Sequence, residues 1–448
     1  MLGETIWPTK SLLKHARTFP SPGGCKNCVP PVPDHSQSAS PAPSGHVVNP
    51  DPLEIFVSRP ADHFPARVSI YLDNNATTAI DPRVADVMLE SLRGGPANAS
   101  SLHGAGRLAR AQIDEAIETI GSCLGSRLDH PGGARLICTS GGTESNNLAI
   151  RGLAHRGPLV VSRIEHPSVL ATAEMMAHQG VPVLWLDVDE QGEIKLDQLK
   201  DFLAQNSARP SLVSVMSANN ETGVIQPVAE VADLCHQAGV PLHVDATQTI
   251  AKLPMDLATL GAAAVSFSAH KFHGPVGIGA LWLGPGIKIH PLFFGGEQQL
   301  ESRPGTEPVA LILGMAAALQ FAVDELDQST TTMCRLRDGL EAALLGDQPQ
   351  LVVQSRDKDR LPGTTCISFL GADRQALLMA LDLAGIACSS GSACSSGSSP
   401  PSHVLTAMSR PDDEISAALR FGVSKFSTES EIDDSIDTIL RIYKRLRR

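Results

Sequence analysis

Two residues in this chain could do chemistry only in company. Lys271 ends the run Ser266-Phe267-Ser268-Ala269-His270-Lys271, and Asp245 ends a shorter apolar run, His243-Val244-Asp245. A lysine beside an apolar strand is costly to keep charged, and desolvation lowers its pKa from about 10.4 toward the range where the free amine adds to an aldehyde. Such a lysine can form a Schiff base. A carboxylate at a neighbouring strand end could hold the protonated nitrogen of a pyridine ring. A structural ion pair would leave the same two residues, so the pair alone does not decide. A third place is Thr139-Ser140-Gly141-Gly142-Thr143-Glu144-Ser145-Asn146-Asn147, where small residues lead into a helical pattern from Leu148. Backbone N–H groups at that helix start, with the Thr143 hydroxyl, would cradle a phosphate. The plain alternative is an ordinary N-cap. Together the three places favour a phosphorylated cofactor. Gly274, Gly277 and Gly279 follow Lys271 and let backbone approach a ligand.

A thiol forms a separate feature. Cys394 lies among Ser389, Ser390, Gly391, Ser392, Ser395, Ser396, Gly397 and Ser398. That stretch is too small and polar to pack a core, which predicts a loop on which a thiol can swing. An exposed thiol titrates near ~8.5, so a base or a cation must assist it at neutral pH. His103 is a candidate helper, and Cys388, with its apolar lead, reads as structural.

The elements that would position these groups follow from periodicity. From Val68 short apolar runs alternate with helical patterns, which predicts an α/β domain with a mostly parallel sheet. Strands are expected at 135–139, 159–162, 183–186, 212–216, 242–244, 264–268 and 280–283. Val228, Val231, Leu234 and Cys235 make a helical stripe that stops at Gly239, a C-cap residue. In such sheets ligands collect at the carboxyl ends of strands. One long helical stretch is expected from Leu311 to about Leu345. A smaller mixed segment then leads to the capping box Thr428-Glu429-Ser430-Glu431 of a last helix with a basic end.

Composition sets the outer limits. With 448 residues the chain can hold one large core and a second domain. Lys plus Arg number 36 against 48 Asp plus Glu, a formal charge of -12, so a nucleic-acid partner is not expected. No apolar run reaches the roughly 20 residues a bilayer crossing needs, which predicts a soluble protein without a membrane partner. Nine cysteines without framework spacing suggest a reducing compartment. Residues 1–67 are rich in Pro, Ser and His and read as a disordered or targeting-like extension. Cys25 and Cys28 have CxxC spacing but no second ligand pair nearby, and no metal site is expected.

Six ordered runs then carry a family resemblance from about Val68 to the end of the chain. They are Tyr71 to Thr78, Thr139 to Asn147, Ala218-Asn219-Asn220-Glu221-Thr222-Gly223, His243 to Gln248, Ser266 to Pro275 and Ser389 to Cys394. They resemble the pyridoxal-phosphate cysteine desulfurases, in the branch similar to NifS and IscS. The resemblance implies the aspartate-aminotransferase-like fold type I of pyridoxal-phosphate enzymes, with residues 68–81 packing on the small domain, 82–326 forming the large domain and 327–448 the small one.

The same resemblance implies roles. Lys271 would be the Schiff-base lysine and would move the substrate's α-proton, and Asp245 would pair with the pyridine nitrogen of pyridoxal 5'-phosphate. Gln248 and Asn220 would reach the ring hydroxyl. His166 would stack on the ring, although alone it reads as a capping or surface histidine. Gly142, Thr143, Ser268 and His270 would hold the phosphate, joined by Thr306 from a partner subunit, which implies a homodimer. Arg420 would clamp the carboxylate of L-cysteine, and Cys394 would take its sulfur as a persulfide, leaving L-alanine. An iron-sulfur scaffold or another acceptor protein would receive that sulfur, in the cytoplasm, or in an organelle if the extension is a transit peptide. The chain departs from the family at Asn98-Ala99, where proline commonly follows asparagine. It also ends soon after its last helix, which makes a long grip on a scaffold less expected. Selenocysteine lyase, a class V aminotransferase with no use for Cys394, and a non-enzymatic protein keeping the fold are the alternatives.

Overall fold

The computed structural model describes residues 70–128, 130–154, 157–204, 209–391 and 400–447. The expectations placed on residues 1–67, Cys25 and Cys28 among them, and on Cys394 lie outside the described residues.

The described strands are β1 (Ile70–Tyr71), β2 (Arg135–Thr139), β3 (Leu159–Ser162), β4 (Val183–Leu186), β5 (Leu212–Met216), β6 (Leu242–Asp245), β7 (Ala264–Ser268), β8 (Gly279–Leu283), β9 (Val352–Val353), β10 (Thr364–Ser368), β11 (Ile386–Ala387) and β12 (Ala418–Gly422). Seven of them form one sheet in the order β2-β8-β7-β6-β5-β3-β4. The pairs from β7 across to β4 are parallel: helices connect β3 to β4, β4 to β5 and β5 to β6, while the chain returns from β6 to β7 through the turns of residues 246–263. Every residue of β3, β5, β6 and β7 is buried, which is why they read as short continuous apolar runs rather than alternating ones, while the edge strand β4 buries only Leu186.

β8 departs from this pattern and runs antiparallel to both β7 and β2. No crossover helix separates it from β7, only the 3-10 turn Ala269–Lys271 and a glycine-containing loop. That short connection reverses the chain at the carboxyl edge of the sheet and sets Lys271 there. β2, antiparallel to β8, points the same way as β7, so its end at Thr139 reaches the same edge.

A second core surrounds the antiparallel sheet β12-β10-β9 and the parallel pair of β1 with β11. Helices Leu326–Asp347, Arg374–Leu383 and Glu429–Leu446 supply Leu340, Leu377, Ile439 and Tyr443 to it. Phe369 meets the edges of Phe421 and Tyr443 at centroid distances of 6.1 and 5.4 Å, within the usual range for such pairs. Thr428 and Glu431 form the expected capping box. The larger core also takes in Val404, Leu405, Cys366 of β10 and Ala418 of β12, so these two strands send residues into both cores.

The long helix expected from Leu311 is two helices, Val309–Asp324 and Leu326–Asp347, meeting at 73°. The break falls at Glu325, whose carboxylate pairs with Arg83 and with Lys425, both at 2.7 Å. Gly239 closes helix Val228–Ala238 in the left-handed conformation (φ 60°), as its position predicts.

Candidate active site

A cavity of about 330 Å³ opens where the strand ends converge, and its wall includes Gly142, Thr143, His166, Asn220, Asp245, Gln248, Ser268, His270, Lys271 and Arg420. Residues from six separate stretches of sequence thus meet in one place. Thr306 does not: it is exposed and is not part of this wall. Gly391, which leads toward Cys394, is on the wall.

Lys271 Nζ donates to the carbonyl oxygens of Asn75 and Ala76 at 2.6 and 2.8 Å. Both acceptors are neutral. Burial, helped by the nearby Arg420 guanidinium, pushes the amine down to about 8, against the pull of Asp245 and Asp73. An appreciable fraction is therefore a nucleophile at neutral pH.

Asp245, only 5% exposed, ends β6. Its Oδ2 accepts from Asn146 Nδ2 at 2.7 Å and its Oδ1 from the Thr247 N–H at 3.0 Å. The Asn146 amide also donates to Ser168 Oγ at 2.9 Å, and Ser168 Oγ lies 2.8 Å from His166 Nδ1. A polar chain therefore runs from the carboxylate to the imidazole. His166 is also the N-cap of helix Pro167–His178, with Nδ1 accepting from the Ser168 N–H at 3.1 Å. The capping and site readings of this histidine hold at once: capping occupies Nδ1, which places the proton of the neutral ring on Nε2. Burial lowers its pKa and keeps the ring neutral.

At the other end, helix Gly142–Leu153 points its N-terminus at the cavity with no side-chain cap on its first turn. Its leading N–H groups have no partner within the helix, and the helix dipole favours an anion there. Gly279 makes this approach possible. A β-carbon at that position would stand 2.6 Å from the Phe267 carbonyl oxygen and 2.7 Å from the Gly141 carbonyl carbon. His270 sits beside the turn with Nδ1 3.1 Å from Thr77 Oγ1, and burial among lysines drives it down to about 4.

Arg420, 4% exposed on β12, donates from Nη1 to the Asn220 carbonyl oxygen at 2.9 Å and from Nη2 to Asp73 Oδ1 at 2.8 Å. Its Nε is buried without a partner. Gln248 donates from Nε2 to the Asn75 carbonyl oxygen at 3.1 Å. His103 caps helix Gly104–Cys123 through Nδ1, 3.2 Å from the Gly106 N–H, and stands outside the cavity wall. Cys388 is structural: burial pushes its thiol up to about 12.

Sequence reasoning did not assign roles to Asn146, Ser168, Thr247, Asp73 or the Asn75 carbonyl. The available signal was a polar residue at an inward helical position, as with Asn146, which is buried beside apolar neighbours.

The aminotransferase class-V family model matches residues 70–434. A cysteine desulfurase of Sinorhizobium fredii is 41% identical over 383 residues, covering 84% of this chain and 97% of that protein. The cysteine desulfurase IscS of Dictyoglomus turgidum is 37% identical over 383 residues, covering 84% and 95%. The X-ray structure of a NifS-like protein from Rickettsia africae superposes with a TM-score of 0.76 at 32% identity, over 84% of this chain and 99% of that one. With the strand-end lysine and aspartate in one cavity and this likeness running through both cores, the chain belongs to the aminotransferase class-V family and, within it, to the cysteine desulfurases.

Proposed function

We propose that this protein is a pyridoxal-phosphate enzyme that removes sulfur from L-cysteine, releases L-alanine and holds the sulfur as a persulfide on Cys394. The observation that carries the cofactor reading is a wall of orphaned polar atoms around a softened lysine. Asn220 Oδ1 and Thr247 Oγ1 are buried on the cavity wall without a partner. Buried polar atoms in native proteins are almost always satisfied, so this wall suits a polar ligand. The uncapped helix end at Gly142 suits its phosphate, and Lys271 suits its aldehyde.

Pyridoxal phosphate supplies an aldehyde carbon for an amine and a ring that draws electrons from a substrate carbon. In this reading Lys271 would bond the cofactor, Asp245 would hold its ring nitrogen, and Asn220 and Gln248 would meet its ring oxygen. His166 would cover the ring face, and Gly142, Thr143, Ser268 and His270 would hold its phosphate. Asn146 keeps the Asp245 carboxylate aimed. Lys271, free in part near neutral pH, is a base able to move the α-proton of a bound amino acid. Arg420 offers a planar fork to the substrate carboxylate, anchored by Asp73 and by the Asn220 carbonyl. The overall exchange balances: cysteine and one enzyme thiol become alanine and one enzyme persulfide.

A homodimer is part of the proposal, with Thr306 completing the partner's phosphate site. Exposed Leu102, Phe294 and Leu300, at 90%, 89% and 71%, support a surface that a second copy covers. An iron-sulfur scaffold or another acceptor protein would take the sulfur onward.

The test is alanine formation from L-cysteine by the holoenzyme, with mass spectrometry of the peptide carrying Cys394. Equal amounts of alanine and transferred sulfur, and one added sulfur atom on that peptide, are expected. Cys394→Ser should keep the cofactor and lose turnover. Full turnover in that variant would remove Cys394 as nucleophile, and turnover with selenocysteine alone would make the protein a selenocysteine lyase.

A further inference from the structure

Beside the cavity lies a second lysine, Lys252. Lys252 follows Ala251, a residue held at φ 63° in the left-handed region. A residue with a β-carbon pays to adopt that conformation and keeps it where its surroundings impose it. The turn directs Lys252 inward, where Nζ donates to Gln248 Oε1 at 3.0 Å. Burial brings its amine down to about 7, and its charged neighbours Lys271 and Arg420, both cations, push the same way. An ordinary structural lysine would be matched by a carboxylate. This one is matched by an amide.

The other half of that amide is also taken. Gln248 Nε2 donates to the Asn75 carbonyl oxygen at 3.1 Å, and the same oxygen accepts from Lys271 Nζ at 2.6 Å. Lys252, Gln248, Asn75 and Lys271 therefore form one hydrogen-bonded line. An amide whose oxygen faces a lysine amine and whose nitrogen faces a carbonyl has a single satisfied orientation. Turning it over would set oxygen against oxygen and N–H against N–H. In the satisfied orientation Gln248 keeps one N–H for the cavity it lines.

We propose that Lys252 is a positioning residue that locks the Gln248 amide, so that Gln248 presents a hydrogen-bond donor, never an acceptor, to the ring oxygen of the cofactor. This rests on the pyridoxal-phosphate reading above. Lys252 touches neither substrate nor cofactor; its ammonium form can only donate and so fixes Oε1 toward it, while the neutral amine donates to the same oxygen with the Asn75 carbonyl still opposing the turned amide. A fixed donor favours the anionic form of the oxygen it meets over the protonated form. The consequences are tighter cofactor binding and a cofactor absorbance set by that oxyanion.

The experiment compares wild type, Lys252→Met, Gln248→Ala and the double variant as holoenzymes, reading the visible absorbance maximum, the cofactor dissociation constant and the thermal midpoint. Lys252→Met keeps the side chain's length and removes the donor. It should shift the band and weaken cofactor binding about tenfold, in line with one charge-assisted hydrogen bond, without lowering the thermal midpoint. Gln248→Ala should reproduce the shift, and adding Lys252→Met to it should change nothing further. Lys252→Arg should keep the wild-type band, since a void of about 30 Å³ next to Lys252 admits the larger head. A Lys252→Met band and affinity equal to wild type, or an undiminished effect in the Gln248→Ala background, would overturn the inference while leaving the enzyme reading in place. A wild type that binds no cofactor would overturn both.

Discussion

Arg420 and Asp73 are joined at 2.8 Å, a bond that ties β12 to the segment after β1 and fixes the guanidinium plane at the cavity wall. With Nη1 spent on the Asn220 carbonyl and Nη2 on Asp73, the buried Nε and the remaining N–H groups are what a substrate carboxylate can use. A lysine has the charge but no fork. Arg420→Lys should therefore raise the KM for L-cysteine. A lost charge-assisted bond of about 1.5–3 kcal/mol corresponds to roughly 10- to 150-fold. Cofactor absorbance should stay. Steady-state alanine formation checks this, and an unchanged KM would take Arg420 out of substrate binding.

The Lys271 amine sets the pH dependence of cofactor uptake. An ordinary lysine near 10.4 has about one free amine in 2,500 at pH 7, whereas one at about 8 has roughly one in ten. Because the neutral amine is the nucleophile, the rate at which apoprotein takes up pyridoxal phosphate should rise with pH and level off above about 8. Arg420 is one of the causes that lower this value, so Arg420→Gln should move the midpoint upward. Stopped-flow absorbance between pH 6 and 10 reads both, and a midpoint near 10 in wild type would contradict the burial of this amine.

The strand limits were legible because each buried parallel strand is a short apolar run bounded by polar or small residues. β3, β4, β5 and β7 fall on the expected residues, while β6 and β8 each gain one. Strand ends mark ligand sites in such sheets, so Asp245, Lys271 and the Gly142 turn could be singled out and do share one cavity. What was not legible depends on neighbours distant in sequence. The Asn146 contact to Asp245 requires knowing that β2 and β6 end at one edge. The helix break at Glu325 falls where the apolar pattern gives way to Asp327-Gln328-Ser329-Thr330-Thr331-Thr332, and the Arg83 and Lys425 contacts that hold Glu325 there come from distant sequence. His103 as an N-cap lies outside the Ser, Thr, Asp and Asn preference that sequence rules rest on, whereas the capping reading of His166 was open from the sequence.

Gly279 gives a test of the phosphate cradle that avoids the polar residues. A β-carbon there meets backbone on two sides, the Phe267 carbonyl and Gly141, and neither can move without disturbing the sheet or the helix start. Gly279→Ala should destabilise by about 1–3 kcal/mol, the usual range for overpacking, and weaken cofactor binding in the same variant. Gly339, within helix Leu326–Asp347 with nothing near its added β-carbon, is the control: Gly339→Ala should stabilise by about 0.5–1 kcal/mol. Chemical denaturation and cofactor titration measure the pair, and a harmless Gly279→Ala would show that the close approach does not shape the cradle.

Thiol reactivity should separate the cysteine that does chemistry from those that fill space. Burial pushes Cys123 up to about 11 and Cys235, Cys366 and Cys388 up to about 12. At pH 7.5 each of these four is a thiolate in fewer than about one molecule in a thousand, and alkylation goes through the thiolate. A short pulse of iodoacetamide on the native holoenzyme should therefore leave all four unmodified while labelling Cys394 and abolishing turnover. Prior incubation with L-cysteine should change the outcome at that one position, because a persulfide carries the label on its outer sulfur and a reductant then removes label and sulfur together. Peptide mass spectrometry after reduction distinguishes the two states. Labelling of Cys388 as fast as Cys394 would contradict its packing on the second core and shift the question of the nucleophile back to both thiols.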